Sequence, residues 1–270
     1  MTRRRCVGLW AALMMPVAAG FAFGSATPTL EASNAAIADS TPASKLASQA
    51  ELLNVLHALQ DRGTTLKDFS ANLRVRVHHL RTDETDINIG KIWYQRQGST
   101  SRFDIHFDIL AVDGAIARKH ADHDLVFDGR WFIDRDGAAK IFRKTEVAPP
   151  GSVVNPLKLG QGPLPIPIGQ DPHEVLKDFH AQLLLNANGM EHLILKPRDK
   201  KVFDFDKLQF WIDPKLGIPV KIRRTDPDGT PTTATFTNIK INTGKAHDFH
   251  VHVPAPGSGW TVILQPWKSQ

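Results

Sequence analysis

The sequence predicts a mainly β protein of the α+β kind, an unclosed antiparallel barrel of about ten or eleven strands with two helices lying across its open, concave face. Three observations predict it. From about Leu66 onward apolar and polar residues alternate with period two, most clearly where Phe103, Ile105, Phe107 and Ile109 interleave with Arg102, Asp104, His106 and Asp108. Asp-Gly pairs at 113–114, 128–129, 136–137 and 228–229 punctuate these runs as hairpin turns do. Just two stretches carry helical periodicity, so a sheet of this length must curl to cover its own apolar face, with the helices closing the rest.

The chain begins with the three parts of a secretion signal: a basic start at Arg3, Arg4 and Arg5, an apolar run from Val7 to Phe23, and small residues ending at Ala26. Residues 1–26 are expected to be removed near Ala26, placing the protein in the periplasm. Cys6 lies ahead of the apolar run, so it cannot be the lipidated residue that would follow such a run. Its loss leaves no thiol, which excludes disulfides, thiolate catalysis and cysteine metal sites together. Losing three arginines and no other charge takes the formal net charge from +5 to +2. No concentrated basic stripe stands out along the sequence, and a nucleic-acid role is not expected.

Residues 27–44 are rich in Ala, Ser, Thr and Pro without apolar period and read as a flexible leader to a single domain over 45–270. The first helix is expected over 45–61: Ser48 and Glu51 have capping-box spacing, Leu52, Leu56 and Leu59 form the apolar stripe, and Gly63 can supply a left-handed stop. Strand alternation follows at Leu73-Val75-Val77, Leu208-Phe210-Ile212, Ile218-Val220-Ile222 and Phe249-Val251-Val253. Prolines 149, 150, 156, 163, 165 and 167 exclude a regular helix or central strand over 148–170. The second helix is expected over 171–185, with Asp171 as cap, Pro172 at the first position and a stripe of Val175, Leu176, Phe179 and Leu183.

Phe103, Phe107, Trp131, Phe203, Phe205, Phe210, Trp211, Phe236 and Phe249 exceed what one sheet face needs against two short helices. Singly each reads as core; together, in a half-closed barrel, they suit an apolar cavity. His106, His120 and His123 could be imagined as a metal or hydrolytic site, but residues three apart on a strand point to opposite faces, and a solvated loop is the plainer reading. His247, His250 and His252 read as a wet face able to tune a pH response. No serine-nucleophile elbow, phosphate loop or zinc-protease spacing is present, so no catalytic residue and no cofactor are expected. An outer-membrane barrel is excluded by missing aromatic girdles, with a single Tyr in the chain.

Several short motifs, in order, resemble the periplasmic outer-membrane lipoprotein carrier (LolA-like) family: Gly90-Lys-Ile-Trp93-Tyr-Gln-Arg96 with Arg102-Phe103-Asp, then Val126-Phe-Asp128-Gly129-Arg-Trp131-Phe-Ile-Asp134, Leu208 to Asp213, Ile218-Pro-Val, Asp228-Gly229, Phe236-Thr-Asn-Ile, and a closing Phe249 to Pro256. The resemblance implies an unclosed barrel with a helical lid that binds lipoprotein acyl chains or other lipid. It also implies an inner-membrane ABC transporter as donor and an outer-membrane acceptor, with the carrier itself a monomer. Arg96 matches the arginine that holds the family's lid by its carbonyls, although Gln97 stands where the family has proline. The expected cavity lining is Trp93, Phe103, Ile105, Phe107, Trp131, Ile133, Phe210, Ile212 and Phe236, and the expected lid residues are Leu52, Leu56, Val175 and Phe179. A periplasmic lipid sensor of the same fold is the rival reading, and an enzyme using His106, His120 and His123 a more distant one.

Overall fold

The computed structural model describes residues 44–149, 151–159, 166–186 and 188–267. The expected signal at 1–26 and nearly all of the leader lie outside the described residues. Ser48 caps the first helix, α1 (Gln49–Thr65), by the capping box expected of it: its side chain accepts from the amide of Glu51, whose carboxylate accepts from the Ser48 amide. Leu52, Val55, Leu56 and Leu59 form its buried stripe. Gly63 does not end the helix in a left-handed turn; the helix runs through it to Thr65. What requires glycine there is space, because a Cβ on Gly63 would fall 2.1 Å from the Cα of Gly169.

The strands are β1 (Ser44–Leu46), β2 (Asp68–His79), β3 (Glu84–Gln97), β4 (Thr100–Val112), β5 (Ala115–Phe127), β6 (Trp131–Asp136), β7 (Ile141–Glu146), β8 (Phe179–Asn186), β9 (Glu191–Pro197), β10 (Lys207–Asp213), β11 (Ile218–Thr225), β12 (Pro231–Ile241) and β13 (Thr261–Gln265). They form one sheet in the order β1-β8-β9-β10-β11-β12-β2-β3-β4-β5-β6-β7-β13. Two antiparallel meanders, β2–β7 and β8–β12, are therefore joined where β12 pairs with β2. The proline-rich segment carries the chain from one end of the sheet to the other, between β7 and β8. The terminal strands β1 and β13 are not partners, so the barrel is unclosed, as expected.

The expected count of ten or eleven strands misses the two short edge strands, and the sheet is not wholly antiparallel, since β13 runs parallel to β7. The second helix is shorter than expected. It is α2 (Pro172–Asp178), capped by Asp171, and residues 179–186 form β8. Phe179 is thus a strand residue and no part of a lid helix. The spacing misled because Phe179 and Leu183 lie four apart, which places them on one face of a helix and equally on one face of a strand. Phe249 to Val253 alternates but joins no ladder; it is an extended segment laid over the outside of the sheet.

The sheet has two apolar faces. Inside, Phe103, Ile105 and Phe107 of β4, Phe127, Phe132, Phe210 and Phe236 join α1, Leu157, Leu159, Ile166 and Ile168 of the proline-rich segment, and Phe179 and Leu183 of β8 in one cluster. Residues near both ends of the sheet meet there, which requires the sheet to curl. Outside, Val126, Ile133, Phe142 and Phe249 form a second cluster with Trp93, Trp131, Val251 and Trp260 packed against it.

Candidate functional site

Strand alternation decides which predicted lining residues share a space. Phe103, Ile105, Phe107, Phe210, Ile212 and Phe236 all point inward and are buried, together with Leu52, Leu56 and Val175 of the two helices. Trp93, Trp131 and Ile133 do not line that space. They face the convex side, as the buried flanking residues Ile92, Tyr94 and Phe132 require. The concave face is filled by the chain itself: the α1 stripe occupies the volume between the sheet's aromatic rings.

The C-terminal end of α1 is held from outside the helix. The last carbonyls of a helix have no partner within it, and here Arg96, near the end of β3, supplies one. Its guanidinium donates to the carbonyl oxygens of Gly63 and, at 2.6 Å, Thr64. A cation at this end also opposes the negative pole of the helix. Asn242 donates to the Thr65 carbonyl at 2.9 Å and accepts from the Lys67 amide at 2.7 Å. Sequence reasoning did not find Asn242; its left-handed backbone, φ 52°, just after a strand is the local feature that Asn tolerates and most residues do not. Gly169 of the crossover adds a third tie, donating its amide to the Leu59 carbonyl at 3.0 Å.

At the other end of α1 a cleft of about 510 Å³ opens where the helix, α2 and the edge of the barrel at β8 meet. Leu52, Leu176 and Ile194 give it apolar wall, and His180, Lys196 and Arg198 give it cations. It lies at the side where β8 is left without a full-length neighbour, because β1 pairs only with Leu184 to Asn186.

On the convex side, residues 242–260 form a strap. His247 stacks on Trp93 and its Nε2 lies 2.7 Å from Asp104 of β4. Burial pushes the Asp104 carboxyl above the usual carboxylate range, and the hydrogen bond and charge of His247 work against that shift. Between strap and sheet lies a space of about 490 Å³ lined partly by Asp104, Asp124, Arg135, His250 and Trp260.

The three histidines offered as a metal or hydrolytic site are not brought together. His106 faces the convex side, between Asp124 at 2.5 Å and Asp108 at 2.9 Å. Burial alone would lower its pKa, but the hydrogen bonds and charges of Asp124 and Asp108 outweigh burial and raise it. His123 turns inward to Asp134 at 2.8 Å, and His120 is exposed. Among the described residues, His106, Asp122 and Asp124 bring three potential ligand atoms within 4.8 Å of one another. The Arg135 guanidinium already bridges the two carboxylates, at 2.7 Å from each.

No helix among the described residues is long and apolar enough to cross a membrane. No family model matches the sequence, and no curated protein matches it. Among solved structures, an uncharacterized conserved protein from Thermus thermophilus superposes with a TM-score of 0.46 and 8% identity, over 80% of this chain and 99% of that one. MucB superposes with a TM-score of 0.46 and 16% identity, over 76% of this chain and 64% of its own. A putative outer membrane lipoprotein-sorting protein domain from Vibrio parahaemolyticus superposes with a TM-score of 0.36 and 13% identity, over 74% of this chain and 95% of its own.

Proposed function

We propose that this protein is a periplasmic carrier that holds the acyl chains of a lipoprotein or other lipid in the concave face of its barrel, with α1 as a displaceable lid. The observation that carries the reading is the construction of α1: a helix whose apolar stripe fills an aromatic-lined trough, fastened at one end by polar ties that are few and near solvent. The magnitudes allow exchange. Burying the four stripe residues contributes on the order of 6–12 kcal/mol, and an acyl chain of about a dozen methylenes contributes roughly 10 kcal/mol in the same place. The two Arg96 hydrogen bonds add about 1–3 kcal/mol to the closed side. Lid and lipid are therefore near balance, as a carrier that must both load and release requires. In this reading an inner-membrane transporter loads the monomeric protein and an outer-membrane acceptor unloads it.

The test is native mass spectrometry of the protein purified from its own periplasm without detergent. Co-purified lipid or acylated peptide, at up to one per chain, is the expected result. A chain that carries no lipid and fails to bind a fluorescent acyl probe overturns the proposal.

A further inference from the structure

The convex face is divided. Among the described residues, the strap covers the part formed by β3–β6 and does not reach the outward positions of β9, β10, β11, β12 and β2, which carry a group of basic side chains. Strand register places them in rows. Arg76 lies opposite Thr233, Thr233 opposite Arg223, Arg223 opposite Gln209 and Gln209 opposite Ile194. In the next row Arg74, Thr235, Lys221, Trp211 and His192 follow one another in the same way. On the other side of the first row, Lys207 adjoins Lys196 across β10 and β9, one step beyond the Leu208–Leu195 pair. Lys91 of β3 extends the basic face, opposite Asn72. With strands about 4.8 Å apart, these charges span roughly 20 Å of gently convex surface.

Arg74, Arg76, Lys91, Lys196 and Arg223 are exposed. Among the described residues, Arg74, Arg76, Lys196, Lys207 and Arg223 form no ion pair, and Arg223 is tied only to the Thr233 hydroxyl. The outward carboxylate at the end of β10, Asp213, is turned into the β10–β11 turn, where it accepts from the amides of Lys215 and Leu216. Trp211 stands in the middle, stacked on His192 at 4.3 Å and covered by the Lys221 ammonium at 4.1 Å. The His192 ring sits within this group of charges, and its pKa is lowered to about 4 by burial and by Lys221, Lys207 and Arg223.

We infer that this face docks the protein onto an anionic lipid bilayer. Its chemistry is cations interspersed with an amphipathic indole and with Ile194, the mixture that an interface of acidic headgroups accepts. Its shape favours a broad, flat partner over a peptide, since the rows centred on β10–β12 and β2 form a convex sheet whose backbone groups are already paired with neighbouring strands, and the cleft beside Ile194 and Lys196 lies only at its β8 edge. The docking goes beyond the carrier reading, because it requires nothing of the concave face.

The experiment is co-sedimentation of the purified protein with vesicles of phosphatidylglycerol mixed with phosphatidylcholine, against vesicles of phosphatidylcholine alone. Binding to the anionic vesicles is expected to be at least ~tenfold stronger and to fade as ionic strength rises past about 0.1 M. Each cation near the surface contributes about fivefold, so the variant R74E/R76E/R223E is expected to lose about a hundredfold or more. Because all three positions are exposed, the variant is expected to keep its circular dichroism and its binding of an acyl probe. A milder variant, R223Q, is expected to lose about fivefold. Equal binding to both vesicles, or a triple variant that still binds anionic vesicles as the parent does, overturns the inference. Salt-sensitive binding to polyglutamate with none to vesicles overturns it in favour of an acidic protein partner. Loss of acyl binding with vesicle docking intact would instead sink the carrier reading alone.

Discussion

Gly63 and Gly169 meet backbone against backbone: a Cβ on Gly63 would fall 2.1 Å from the Cα and 2.5 Å from the amide nitrogen of Gly169. One belongs to α1 and the other to the proline-rich crossover, so the end of this helix is held by contact on that side as well as by Arg96. Ala in place of Gly inside a helix ordinarily stabilises by about 1 kcal/mol. Here Gly63→Ala is expected to destabilise by about 2–4 kcal/mol, because neither backbone can yield without moving the helix end or the crossover. Urea denaturation measures the sign, and a stabilised variant would mean that helix and crossover are not packed as described.

Most strands, the first helix and the interruption by prolines were legible because each rests on local chemistry: period-two alternation, a capping box, missing amide donors. Strand β8, whose spacing also fits a helix, and the short edge strands were not. Which face a residue serves was harder. Alternation separates Ile92 and Tyr94 from Trp93, but it does not say that both faces are covered. An apolar convex residue such as Trp93, Trp131 or Ile133 therefore looks like cavity lining until the strap over it is seen. The same limit applies to the basic face. Arg74, Arg76, Lys207 and Arg223 are dispersed in sequence, and only the pairing of β12 with β2 gathers them into rows.

Arg96 fastens the end of α1 through carbonyls that the helix cannot satisfy itself. Arg96→Leu is expected to free the last turn of α1 while leaving its buried stripe in place. Amide hydrogen exchange at Arg62 to Leu66 should then quicken by about ten- to a hundredfold, the factor corresponding to roughly 1.4–2.8 kcal/mol. Strands β9–β11 should be unaffected. Uniformly faster exchange across the sheet would show that Arg96 supports the whole fold and not the end of α1 alone.

His192 introduces an acid-sensitive contribution. Its folded pKa, about 4, lies below the ordinary value of 6.5, so the unfolded chain binds the proton first. The contribution is complete above about pH 6.5, falls as pH drops toward 4 and is flat below. The full shift would be worth about 3.4 kcal/mol, and solvent screening at this half-exposed ring reduces it to about 1–2 kcal/mol. His106, whose pKa is raised, acts in the opposite direction over the neighbouring range, so the difference between parent and His192→Gln isolates the effect. The parent is expected to lose about 1–2 kcal/mol more than the variant between pH 7.5 and pH 4.5 in chemical denaturation. Identical pH dependence for the two would mean that neither burial nor the cations on this face lower the His192 pKa.

His247 links the strap to the sheet twice, stacking on Trp93 with ring centroids 4.4 Å apart and meeting Asp104 at 2.7 Å. Removing it does more than delete a contact, because the other Asp104 oxygen, Oδ1, is buried without a hydrogen-bond partner. The carboxyl would then be left in the strap's shadow with no donor and must either take up a proton or open the strap to water. His247→Ala is accordingly expected to cost about 2–4 kcal/mol and to expose residues 242–260 to limited proteolysis. Asp104→Asn removes the charge that makes the loss costly, so adding it to His247→Ala should recover part of that stability. If the double variant is as unstable as the sum of the two single ones, the pair is not coupled and the strap is held by Phe249 and Trp260 instead.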